Sequence, residues 1–192
     1  MTGDLGATTG EVHDEAAAVL AFWFDEVAPE RQFAKDDALD AEIARRFGAL
    51  REQLATTGAA GWDGDPDMLL AAVIVLDQFS RNLHRGSAEA FATDDLALSL
   101  ARRAIAAGWD RELPVDRRAF LYLPFMHAKD AGVQEESVRL FTELGRELNL
   151  KFAIDHRDVI ARFGRYPGRN AALGRETTPE EAAYLSQPGA GW

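Results

Sequence analysis

Five arginines and one acid, Asp158, stand within residues 156–175, HRDVIARFGRYPGRNAALGR, a balance of +4 in a chain of net charge −11. Residues 1–155 sum to −12 and residues 176–192 to −3. A cationic segment in an acidic protein needs an anion, either the protein's own carboxylates or a bound phosphate or carboxylate. Arginine forks and helix-start amides both suit such oxyanions. After Gly164 the turn Tyr166-Pro167-Gly168 presents Arg165, Arg169 and Asn170 from a short loop, with Asn170 placed to cap the brief turn 171–173. His156 opens the apolar stripe Val159, Ile160, Phe163, either as a hydrogen-bonded core residue or as a proton-transfer group.

Two other places could do chemistry. The apolar run from Met68 to Leu76 ends abruptly in Asp77, Gln78, Phe79, Ser80, Arg81, Asn82. Asp77 and Arg81 are one helical turn apart. They either satisfy each other, or Asp77 orients a ligand-binding arginine or acts as a base in a cleft. Beyond Pro124 lie Tyr122's helical neighbours Met126 and His127, then Asp130. His127 and Asp130 are close enough to meet, which would raise the imidazole pKa, and the alternative partner for His127 is its own helix-end carbonyls. Asp77, His127 and His156 are thus the candidate catalytic groups. The absence of cysteine excludes thiol chemistry and cysteine-held metals. Neither a P-loop, a dinucleotide fingerprint, a serine-hydrolase elbow nor an HExxH pattern is present. With four histidines, a metal would need two of them to converge with Asp77, Asp130 or Asp155, so no metal or cofactor is expected.

Helices must position these groups, because apolar spacing is helical nearly everywhere and no strand alternation stands out. The spacing predicts helices over 14–26, 36–57, 65–83, 93–108, 115–129, 133–149 and 153–163, and a last one from Thr178. Asp65-Pro66 and Thr178-Pro179-Glu180-Glu181 are helix starts, Thr93 is placed as a cap, and Gly108 and Gly164 are stops. The expected fold is therefore all-α, seven or eight helices stacked as antiparallel hairpins in one domain over 13–187, with flexible ends at 1–12 and 188–192. No secretion signal or membrane-length apolar run stands in the chain, so the expected address is the cytoplasm. The net charge argues against nucleic-acid or anionic-membrane partners.

The segments VLAFWF (19–24), LDQFSRNLHRG (76–86), FLYLPFMHAKD (120–130) and HRDVIARFGRYPGRNAALGRETTPEE (156–181) resemble the bacterial family known as domain of unknown function number 924. The resemblance covers roughly residues 16–187. It implies a fold similar to tetratricopeptide-repeat proteins and carries no activity with it. The family pattern falls on Asp77, Gln78, Phe79, Arg81 and Asn82, on Tyr122, Pro124, Phe125 and His127, and on His156, Arg162, Phe163, Gly164, Arg165, Pro167, Arg169, Asn170, Gly174 and Arg175. It departs at Ser80 and His84, where proline and an aromatic residue are usual, and at Gly168, where a histidine is usual.

Two readings follow. In one, a cleft holds a small anionic ligand with Arg81, Asn82, Tyr122, Arg162, Arg165, Arg169, Asn170 and Arg175, and His127 or His156 moves a proton, which leaves open whether the protein is an enzyme. In the other, a helical scaffold binds a peptide or protein partner, its arginines structural or clamping an acidic tail. Oligomeric state is not legible. The excess positive charge of the segment leads to the expectation that Asp77 and Arg81 meet Arg165, Arg169 and Asn170 in one network, with His127 the next candidate neighbour. The first reading expects Arg169→Ala to leave the unliganded melting temperature nearly unchanged.

Overall fold

The computed structural model describes residues 9–191, all helix, turn or loop, with no strand among them. The elements are α1 (Thr9–Ala21) with a π-helical turn (Phe22–Glu26), α2 (Asp37–Thr57), α3 (Pro66–Ile74), a second π-helical turn (Val75–Phe79), α4 (Ser80–Leu83), α5 (Asp94–Ala106), α6 (Val115–His127), α7 (Ala131–Leu144), α8 (Glu147–Phe163) and α9 (Pro179–Leu185). Short 3-10 turns occupy Pro29–Arg31, Ala88–Phe91, Trp109–Arg111 and Pro167–Arg169. Counted as one rod, α3, its π turn and α4 bring the described residues to eight helices, in keeping with a stack of hairpins. No helix among them is long and apolar enough to cross a membrane.

Local chemistry sets the boundaries. Asp36 and Asp65 cap α2 and α3 by accepting from backbone amides one turn in, and Thr178 and Glu181 form the reciprocal capping box that opens α9. Gly164 ends α8 in the left-handed region at φ 65°. Gly145 does the same for α7 at φ 75°, so the expected helix over 133–149 stops at Leu144 and α8 begins at Glu147, ahead of the expected 153. At the N-terminus, α1 starts at Thr9, inside the expected flexible stretch, because Val12 and Ala16 are buried in the core. The rest of that stretch, residues 1–8, and Trp192 lie outside the described residues.

α3 is the centre of the molecule. Every residue from Met68 to Leu76 is buried, and the helix packs against α1, α5 and α6. An aromatic group of Phe22, Trp23, Phe47, Phe79 and Phe120 closes one end, with Trp23 and Phe79 edge to face at 5.3 Å. α6, α7 and α8 follow as successive hairpins, and Val159, Ile160 and Tyr166 form a small second core with Phe163 and Tyr184. The π turn of the central rod lies where the apolar run meets its polar end. Thr93 stands at the N-cap position of α5 as expected, but its side chain caps nothing there: its hydroxyl donates to the carbonyl of Leu76 at 2.6 Å, inside that π turn, and sits 3.0 Å from Ser80 Oγ.

Candidate functional site

Several elements converge at that polar end. The π turn carries Asp77, and such turns widen a helix locally and recur where a side chain must be re-aimed. α4 places Arg81 one turn later, the start of α5 supplies Asp94, and the end of α6 supplies His127. The chain leaving α8 turns back at Gly164, and the 3-10 turn Pro167–Arg169 sends Arg169 inward.

Asp77, 1 % exposed, is the hub. Its Oδ1 lies 2.8 Å from His127 Nδ1 and 3.2 Å from Arg81 Nη1, and its Oδ2 accepts from Gln78 Nε2 at 2.6 Å. Arg81 also donates to the Asp77 carbonyl and grips Asp94 through two nitrogens, at 3.0 and 3.2 Å. Asp94 in turn accepts from Arg169 Nη1 at 3.0 Å, and Arg169 Nη2 donates to the carbonyl of His127 at 3.3 Å. The Arg169 guanidinium, 4 % exposed, lies 4.6 Å from the Phe91 ring centroid and 4.4 Å from that of Tyr166. His156 completes the wall, its ring 6.1 Å from His127 and 5.6 Å from Tyr166, with Nδ1 donating to the Phe152 carbonyl at 2.8 Å.

Charge assigns the protons. Two aspartates and two arginines cancel. Burial alone would push the Asp77 carboxyl up, but Arg81, His127 and Gln78 outweigh it and hold the group well below the usual carboxylate range. An ionised carboxylate only accepts, so His127 Nδ1 carries the hydrogen and Nε2 the lone pair. Burial, then Arg81, pull the His127 pKa below its ordinary value in spite of Asp77. Burial, then His127, push His156 down to about 3. Both imidazoles are neutral bases in the folded protein at neutral pH.

Stability should therefore depend on pH with a definite sign. Below about 6.5 the unfolded chain takes up protons that folded His127 and His156 refuse, so stability is full above that pH. It falls as pH drops from 6.5 toward 3, by about 1.4 kcal/mol for each unit of depression. Urea midpoints measured from about pH 8 to pH 4 should be flat and then decline below 6.5. A decline confined to the carboxylate range would show that neither histidine is buried neutral.

The other candidates lie elsewhere. Arg165 makes a bidentate pair with buried Glu181 at 2.6 and 2.9 Å and reaches the Glu176 carbonyl. Asn170 donates to Glu181 and Thr177, so its side chain faces α9 and does not cap 171–173. Arg162 pairs with Glu180, and Arg175 donates to the Tyr166 carbonyl. Arg162, Arg165 and Asn170 together clasp α9. Asn82 bonds Asp40, which Arg85 also holds, and Tyr122 donates to Asp110 at 2.7 Å. Asp130 does not meet His127; it caps α7 through the amide of Val133 at 3.0 Å. The cationic segment thus splits. Arg169 turns to Asp94 and the α6 end, joining Asp77 and Arg81, while Arg165 and Asn170 do not join them.

Asp94, Phe91, Gln134 and Tyr166 carry the site's geometry without a sequence signal of their own, beyond Asp94's place in a helix-start pair of acids. Two surface hollows lie along α5 and between α5 and α7, lined in part by Asp95, Leu98 and Arg102 and by Ile105, Arg139 and Glu143, away from the cluster. No group of three or more histidine or acidic ligands that could hold a metal occurs among the described residues.

Residues 19–189 match the profile of the family described as bacterial protein of unknown function, DUF924. The chain belongs to this family. The chain is also similar to the structure of the protein of unknown function ATU0120 from Agrobacterium tumefaciens, which is 41 % identical, superposes with a TM-score of 0.86, and is matched over 91 % of this chain and 98 % of its own. No functionally curated protein matches.

Proposed function

We propose that this member of the family binds a small anionic ligand, a carboxylate or phosphate, beside a built-in base. His127, oriented by Asp77, accepts the ligand's proton or hydrogen bond, and Arg81 attracts its charge. One observation carries the reading: Asp77 Oδ1 holds both His127 Nδ1 and Arg81 Nη1 while the two side chains keep 13 % and 21 % of their surface exposed. A single buried oxygen thus holds an imidazole and a guanidinium side by side, each partly exposed. Among the described residues no hydrogen bond occupies His127 Nε2. Such an arrangement suits general-base chemistry, with the carboxylate fixing tautomer and aim.

The scaffold reading has its own support, because four of the five arginines of the cationic segment are matched by Asp94, Asp158, Glu180 and Glu181. A thermal-shift panel of phosphates and small carboxylates separates the two. At a concentration about a hundredfold above Kd, a true ligand stabilises by roughly 2.7 kcal/mol. His127→Asn should weaken that response while the protein stays folded. A panel in which no anion moves the wild-type melting temperature removes this reading in favour of the scaffold.

A further inference from the structure

α6 ends at His127 without a glycine, and Ala128 passes directly into extended backbone at φ −68°, ψ 153°. The last carbonyls of a helix have no intrahelical donor and must be satisfied from outside. Here three side chains from other parts of the chain do so. Gln134 Nε2 on α7 reaches Phe125, Met126 and Ala128 carbonyls at 3.3, 2.9 and 2.6 Å, and the Tyr166 hydroxyl at 2.8 Å. Tyr166 donates toward the Met126 and Ala128 carbonyls at 2.6 and 3.0 Å. Arg169 holds the carbonyl of His127 itself.

The clamp has a cost that packing does not explain. Gln134 is wholly buried, and among the described residues its Oε1 has no hydrogen-bond partner. An orphaned buried acceptor costs about 1–3 kcal/mol. The amide is kept for its donor end, whose two N–H bonds are shared among three carbonyls and a hydroxyl, a set of acceptors that fixes its orientation.

We infer that Gln134 and Tyr166, with Arg169, are positioning residues for His127, setting where its imidazole stands over Asp77. The inference rests on the proposed function only for why that placement matters. The groups facing the imidazole are Asp77 from the π turn, Arg81 from α4, Asp94 from α5 and His156 from α8, while Arg169, from the loop after α8, holds the backbone carbonyl of the same residue. Loosening the clamp lets more water reach the ring, which relieves burial, the largest cause of the lowered His127 pKa, and this outweighs any weakening of Asp77's opposing pull.

The test is histidine nitrogen NMR on the full chain, comparing wild type, Tyr166→Phe, Gln134→Met and a control, Phe141→Leu, which alters core packing elsewhere on α7. Both clamp variants should raise the His127 pKa toward 6.5 and blur its Nδ1–H state, and the control should leave both as in wild type. Should Gln134→Met fail to fold, Tyr166→Phe decides alone, since it removes only the hydroxyl and keeps the ring beside Arg169. An unchanged His127 titration in folded clamp variants overturns the inference, as does an equal shift in the control. A silent ligand panel with shifted titrations would remove the proposed function and leave the positioning role standing.

Discussion

Arg169→Ala is expected to lower stability by about 3–5 kcal/mol, the usual cost of removing one partner from a buried ion pair. The side chain is nearly inaccessible, and its loss leaves Asp94 with Arg81 alone. It also strips the only side-chain donor on the His127 carbonyl among the described residues, and opens a void between Phe91 and Tyr166. Arg169→Lys should recover only part of the loss, because an ammonium keeps the charge but not the planar fork. Denaturant melts of the two variants measure this. The sequence reading expects the opposite, an unchanged melting temperature, because it places Arg169 on a loop facing a ligand. An unchanged midpoint would mean that the guanidinium is not needed where the structure puts it.

Val73→Asp should remove cooperative folding altogether. Val73 is fully buried on a rod whose every residue from Met68 to Leu76 is buried, with α1, α5 and α6 around it. Val73 lies within the main apolar core, so a carboxylate at 73 finds no partner there. Burying an unpaired charge costs at least several kcal/mol, against a total stability of about 5–15 kcal/mol for an ordinary domain. Circular dichroism during a urea titration should show no sigmoidal transition. A wild-type midpoint would show that α3 is peripheral.

What the sequence made legible follows how local each signal is. Asp65, Thr178 and Gly164 act within one turn of themselves, and each helix boundary they predict is present. The all-round burial of α3 is equally visible, because nine consecutive apolar residues leave no polar face. Gly145 is a stop of the same kind, and overlooking it misplaced the start of α8. The site needed more than local rules. Asp77 lies 50 positions from His127, and Asp130, three positions away, is the nearer partner by spacing but is taken by the amide of Val133. A π turn has no residue signature that marks it beforehand, yet it carries the Asp77 carboxylate. The arginines read as one cluster because they share twenty residues of sequence; Gly164 and the turn after it divide them between α9 and the core.

The central claim is that His127 is a neutral base with its lone pair on Nε2, held by Asp77. Long-range proton–nitrogen NMR of histidine-labelled wild-type protein, titrated from about pH 8 downward, tests it directly. The account predicts a protonated Nδ1 and a bare Nε2 for His127, persisting below pH 6.5, with His156 neutral to about pH 3. An Nε2–H tautomer at His127, or an imidazolium forming at or above 6.5, would contradict it.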